Sequence, residues 1–119
     1  MHDDQSRTGT PDTLPEVVIR YLTAHNARDT VTAVSVFTGD AMVIDDGNTY
    51  EGTAAIADWL DRSATAFTYT TRLTDAWWSD ATHCIATQRL EGDFPGGVVD
   101  LHYRFTLRDD LVERLVIEV

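Results

Sequence analysis

Along the chain, apolar residues recur first every three or four positions and then, from about residue 68, every second position. Leu14, Val17, Val18, Tyr21, Leu22 and His25 fall on one stripe of a helix ending near Asn26. Thr13-Leu14-Pro15-Glu16 reads as its capping box, with Thr13 as N-cap and Pro15 in the first turn. Asp29 is placed to cap a second, shorter helix with Val31, Val34 and Phe37 as its buried stripe and Gly39 just past its end. Two short extended runs, Met42 to Asp45 and Thr49 to Glu51, flank Asp46-Gly47-Asn48, a hairpin signal. Thr53 caps a third helix whose apolar face is Ile56, Trp59, Leu60, Ala64 and Phe67. Long strands then follow at about 68–78, 81–92, 97–108 and 111–118. Ser79-Asp80, Phe94 to Gly97 and Asp109-Asp110 connect them, and turns this short imply antiparallel neighbours. Helices first and a strand meander afterwards is an α+β pattern.

Alternation divides each strand into two faces. Val99, Leu101, Tyr103, Phe105 and Leu107 share one face of the third long strand, opposite Asp100, His102, Arg104 and Arg108. In the second, Cys84, Ala86, Gln88 and Leu90 oppose His83, Ile85, Thr87, Arg89 and Glu91. In the last, Leu111, Leu115 and Ile117 oppose Val112, Arg114, Val116 and Glu118. The apolar faces pack on the helices and line whatever cavity exists. The opposite faces mix charges with Ile and Val, a composition that suits either a homodimer interface or a solvated surface with scattered aliphatics. Trp77 and Trp78 are adjacent, so one faces inward and the other covers an edge or an interface.

Composition changes this picture little. The chain has 119 residues, 43% of them hydrophobic, which suits one globular domain over 13–119 behind a polar, flexible tail at 1–12. A net charge of −11 disfavours nucleic acid and anionic membrane surfaces as partners. The nine basic residues are all Arg, and Asp outnumbers Glu, as a GC-rich genome or an acidic, salt-adapted surface would each produce. No apolar run is long enough to span a bilayer and the first dozen residues hold no secretory core segment, so the expected location is cytoplasmic. The lone cysteine, Cys84, reads as a small core residue. His25, His83 and His102 are scattered, and no spacing suggests a metal site, a phosphate loop or a nucleophile elbow; no cofactor is expected.

The order helix, helix, short hairpin, helix, long meander resembles the nuclear transport factor 2-like superfamily. Gly39-Asp40-Ala41-Met42-Val43-Ile44-Asp45-Asp46 resembles its recurrent first strand, and Glu51-Gly52-Thr53-Ala54-Ala55-Ile56 the start of its third helix. Leu90-Glu91-Gly92-Asp93-Phe94-Pro95-Gly96-Gly97 through Phe105 resembles the central hairpin of SnoaL-like proteins. The similarity covers roughly residues 14–118. It implies a cone-shaped roll in which a curved antiparallel sheet packs on three N-terminal helices around an apolar pocket. The fold hosts isomerases, cyclases, dehydratases, epoxide hydrolases and non-catalytic binders, so it does not select one activity. Against the ketosteroid isomerases, the helix 1 tyrosine that donates to a substrate carbonyl falls on Tyr21, and the proton-moving aspartate on Asp45. The slot of the third member, a protonated aspartic acid, falls on Leu101, so the two-donor oxyanion hole is not reproduced.

Two readings stand for each candidate. Tyr21 is either an electrophilic donor aimed at a substrate oxygen or a core tyrosine bonded to a neighbour. Asp45 is either a general base with a pKa raised by an apolar pocket or a turn residue holding the hairpin. Trp59, Gln88, Tyr103 and Leu101 are expected pocket walls, and the inward amide of Gln88 needs a ligand or a neighbour such as Tyr103. The functional expectation is a domain that binds a small hydrophobic carbonyl compound, as an isomerase or cyclase working by proton transfer. The alternative is a non-catalytic binder or dimeric assembly module.

Overall fold

The computed structural model describes residues 14–66 and 69–119. Three helices, α1 (Glu16–Asn26), α2 (Thr30–Ser35) and α3 (Thr53–Ala66), pack on one curved six-stranded sheet. Its strands are β1 (Phe37–Asp45), β2 (Asn48–Glu51), β3 (Tyr69–Asp80), β4 (His83–Gly92), β5 (Val98–Arg108) and β6 (Leu111–Glu118). Their spatial order is β2-β1-β6-β5-β4-β3. Consecutive strands of the meander pair antiparallel, as the short turns require, but β1 lies parallel to β6. The sheet is therefore mixed: α3 and the meander carry the chain from β2 at one edge to β3 at the other, and β6 returns to the middle. The α+β class and the helices-before-meander order hold.

Local differences have local causes. The Thr13 cap and the tail at 1–12 lie outside the described residues, as do Phe67 and the Ala64 side chain. Helix α1 starts at Glu16 with Pro15 at its N-cap and no side-chain cap. Asp29 does cap α2, accepting from the Thr32 N–H at 3.2 Å. The expected α2 stripe holds at Val34 and Phe37, which pack in or against the core, and fails at Val31, which is 82% exposed; Ala33 and Val36 are buried as well. The helix is one and a half turns long, and Phe37 and Gly39 already belong to β1. The Asp46-Gly47 hairpin holds, with Asp45 facing Asn48 and both turn residues at positive φ (53° and 79°). Ala81 and Thr82 make the next turn, so β3 runs on through the Ser79-Asp80 pair expected to form it.

The face assignments hold for β4 and β5 and fail at the start of β6, where Val112 turns inward and Leu111, paired with Arg108, turns outward. Val112 is fully buried, on the face with Leu115 and Ile117. The ladder steps from Thr106↔Arg114 to Leu107↔Val112, leaving Glu113 as an extra residue that flips the alternation. Trp78 packs against the core. Trp77 lies in an outer row with Ile85, Arg104 and Val116, paired strand to strand.

Candidate active site

The inner face brings the sequence candidates into one region. Asp45 on β1 pairs with Ile117, Ile117 with Tyr103, and Tyr103 with Ala86, so Asp45 and Tyr103 share one cross-sheet row. The next row holds Leu101 and Gln88 as direct partners. Helix α1 lays Tyr21 over this face, its ring edge-on to Phe37 and Phe105 with centroids 5.6 and 5.8 Å away. Helix α3 brings Trp59, whose Nε1–H donates to Asp45 Oδ2 at 3.0 Å. Trp59 in turn stacks on Tyr50, 5.9 Å between centroids.

Polar atoms in this interior are under-satisfied. Tyr21 is wholly buried, and among the described residues its hydroxyl has no hydrogen-bond partner. Gln88 Nε2 is buried without one as well. The Gln88 amide faces Tyr103 closely enough to favour its phenolate, yet its NH2 reaches no well-formed bond. His25, stacked on Tyr21 at 5.8 Å, has an unpartnered Nδ1. A buried polar atom without a partner costs about 1–3 kcal/mol, and three such atoms lie in this region among the described residues.

Titration follows from burial. Desolvation pushes the Tyr21 hydroxyl well above its ordinary pKa, with Tyr103, Tyr69 and Asp45 adding to the rise. Those three groups therefore lie within electrostatic reach of it. Tyr103 is raised by the same cause, with Tyr69 and Asp45 contributing. Burial also raises Asp45; the Trp59 hydrogen bond opposes the shift and the neighbouring Asp46 adds to it. Burial, then Arg28, lowers His25, which favours the neutral ring. Cys84 is buried and its thiol is pushed up to about 12, too high for a nucleophile at neutral pH.

Leu101 is half-buried against the core, where its side chain offers no polar group. Trp59, expected as a wall, is 3% exposed and is the hydrogen-bond partner of Asp45. Sequence reasoning missed His25, Tyr69 and Arg28. The available signal was that His25 follows Tyr21 by four residues on one stripe, and that Tyr69 starts an inward-facing row.

Space lies beside these groups. A cavity of about 280 Å³ is lined by His25, Asn26, Arg28, Tyr69, Thr70 and Thr71. Another, of about 150 Å³, lies between α1 and the sheet against Leu22, Leu73 and Gln88. A larger one, about 890 Å³, opens at the opposite end of the sheet by Pro15, Trp78 and the Asp109-Asp110 turn, away from the unpartnered atoms. Its size alone does not mark it as the site, because no orphaned buried polar atom faces it. Among the described residues no group of three or more His, Cys, Asp or Glu side chains stands ready for a metal, and no helix is long and apolar enough to cross a membrane.

Solved structures share this architecture. Protein SMa1630 from Sinorhizobium meliloti, a candidate polyketide cyclase, superposes with a TM-score of 0.86 at 30% identity, over 92% of this chain and 99% of its own. A protein from Catenulispora acidiphila with a ketosteroid isomerase-like fold, solved in complex with trimethylamine, gives 0.79 at 18% identity over 90% and 87%. SalBIII, an epoxide hydrolase/cyclase-like enzyme of pyran ring formation in the polyether salinomycin, gives 0.74 at 20% identity over 86% of each chain. No protein-family model matches the sequence, and no curated protein matches it.

Proposed function

The chain belongs to the nuclear transport factor 2-like superfamily, with the SnoaL-like and polyketide cyclase-type proteins, and we propose that its interior binds a hydrophobic carbonyl compound and moves a proton on it. One observation carries the reading. Two buried hydrogen-bond donors without acceptors, Tyr21 Oη and Gln88 Nε2, lie in the interior that holds the raised carboxylate of Asp45. A ligand oxygen supplies the acceptor both donors lack.

The chemistry follows from those roles. Asp45 removes a proton from a carbon beside the carbonyl, and the bonding pair flows to the oxygen as an enolate. Tyr21 and Gln88 hydrogen-bond to that oxygen as its charge grows. The proton then returns from Asp45 to another carbon, giving an isomer. Alternatively the enolate carbon attacks a second carbonyl of the same molecule, and the Asp45 proton neutralises the alkoxide, closing a ring. A carboxylate raised by burial is the stronger base for the first step. Trp59 steers its orientation, and Tyr103 and Leu101 form the wall. The test is Asp45→Asn: turnover of a carbonyl substrate falls by at least about a hundredfold while binding is kept. Undiminished turnover would remove Asp45 from the mechanism.

Leu101 favours a second reading, a binding or assembly module without turnover, because a side chain without a donor stands where the isomerases place an acid. A thermal-shift screen of hydrophobic ketones against wild type and Tyr21→Phe separates the two. Ligands that stabilise both proteins equally argue against a tyrosine-centred site.

Dimerisation through the outer sheet face belongs to the same proposal. Ile85 is only 7% exposed in the single chain, yet it anchors an outer row with Trp77, Arg104 and Val116. Aliphatics and aromatics among ion pairs are the composition of a self-complementary interface.

A further inference from the structure

We infer that the hydrogen bond between Asn26 and Thr71 is a gate between the mouth of the interior and the space beside Gln88, and that it sets the size of ligand admitted there. The inference rests on the ligand-binding reading above and adds the route of entry and the residues that select by size.

Four observations carry it. First, the mouth cavity of about 280 Å³ and the inner one of about 150 Å³ share Asn26, the last residue of α1, in their linings. Second, alternation puts Tyr69, Thr71 and Leu73 of β3 on one side, with Tyr69 and Thr71 at the mouth and Leu73 in the inner cavity. Thr71 is the middle member of that row, and its hydroxyl donates to the Asn26 side-chain oxygen. The bond therefore crosses from α1 to the sheet where the two spaces meet. Third, Leu73 is the cross-strand partner of Gln88, so whatever passes Thr71 arrives at the buried Gln88 amide. Fourth, β3 is the last strand of the sheet, paired along one side to β4, and its register shifts between Leu73 and Asp75. An edge segment beyond a bulge moves at less cost than a strand held on both sides.

Size gives the gate its meaning. Pockets that enclose an organic ligand start at about 300 Å³. Each cavity alone falls short of that, and joined they exceed it. Along β3 the distance from Tyr69 to Leu73 is about 13 Å at the usual rise of a strand. A flat tricyclic ketone fits within that length, with its carbonyl toward Tyr21 and Gln88 and its far ring beside Tyr69. It can lie there only after Thr71 has let go of Asn26. The bond is exposed and joins two neutral groups, so its loss should be worth about fivefold in ligand entry.

Stopped-flow mixing of the full chain with fluorenone, followed by tryptophan fluorescence, tests this. Thr71→Val removes the hydroxyl and keeps a β-branched side chain suited to a strand, so the variant should fold with a melting temperature close to that of wild type. Its association rate with fluorenone should be about fivefold higher and its dissociation rate unchanged, because the bond that must open is already gone. Thr71→Ser keeps the hydroxyl and should match the wild-type rates. If Thr71→Val associates no faster than wild type, or gains only through slower dissociation, Thr71 is a contact, the gate is overturned and the ketone-binding reading stands. If Thr71→Ser associates as fast as Thr71→Val, the lost methyl rather than the bond controls entry, and the gate is overturned as well. If fluorenone does not bind wild type, the ligand reading itself fails and the gate with it.

Discussion

Trp59 Nε1 and Asp45 Oδ2 are hydrogen-bonded at 3.0 Å, joining helix α3 to the last residue of strand β1. The bond stabilises the ionised carboxylate against the burial that raises its pKa. Removing the donor with Trp59→Phe should raise the Asp45 pKa further. NMR titration of the side-chain carboxyl carbon checks the order: ordinary aspartate lowest, wild-type Asp45 higher, the variant highest. A lower value in the variant would mean that the indole acts on Asp45 mainly by excluding water. The stability consequence has a definite sign. A carboxylate raised in the fold binds its proton more tightly folded than unfolded, so stability falls as pH rises from the unfolded pKa to the folded one and the loss is complete above it. Below the unfolded value that cost is absent. Asp45→Asn should therefore be more stable than wild type at neutral pH, with the difference vanishing in acid.

The Tyr21 hydroxyl gives the opposite trade. Its burial without a partner predicts that Tyr21→Phe stabilises the free protein, by about 1 kcal/mol, because the desolvated hydroxyl is removed and the packed ring is kept. The same change should weaken binding of a flat ketone about tenfold. Paired urea unfolding and calorimetry measure the two. A variant that loses stability would show that the hydroxyl has a structural partner, and the carbonyl reading would lose its main support.

Much of this arrangement was legible in the sequence. Period-two alternation placed Gln88, Leu101 and Tyr103 on the inner face, and the helical stripe placed Tyr21 there. Positions fixed by one element's own period were readable. Those fixed by two elements at once were not. The Trp59–Asp45 bond depends on how α3 crosses β1, a docking no local pattern encodes. The parallel β1–β6 pairing arises the same way, since the ends of both strands are locally indifferent to it. Val112 was misassigned because an unsignalled bulge at Glu113 shifts the period by one. Val31 failed because a helix of one and a half turns is too short for a stripe to mean much. The orphaned atoms were half visible: an inward Gln88 announced a need for a partner, and only the fold shows that the need goes unmet.

The β5–β6 turn predicts a gain elsewhere. Asp109 and Asp110 both sit at positive φ, 53° and 63°, between the paired residues Arg108 and Leu111. That geometry prefers Asn-Gly. The double change Asp109→Asn with Asp110→Gly should stabilise the protein by about 1 kcal/mol, with an unchanged urea m-value. Gly47→Ala, in the corresponding hairpin turn at φ 79°, should cost about as much. A destabilised double variant would mean that Asp109 or Asp110 contributes more through its charge beside Arg108 than it costs in backbone strain.

The outer face is tested at Arg104, which pairs across the sheet with both Ile85 and Val116 and bonds Glu118 through Nε at 2.8 Å. Within one chain this ion pair is half-exposed, so losing it should change folding stability by no more than about 1 kcal/mol. In a two-fold dimer the same substitution acts twice, once on each surface, and Arg104→Glu would set like charges against each other across the axis. Sedimentation velocity at micromolar concentration should show a wild-type dimer and a variant shifted to monomer, with the dissociation constant raised at least about tenfold and the melting temperature nearly unchanged. A wild type that sediments as a monomer would leave the row of Trp77, Ile85 and Val116 as an ordinary solvated face. A variant that remains dimeric would move the interface to another surface of the sheet.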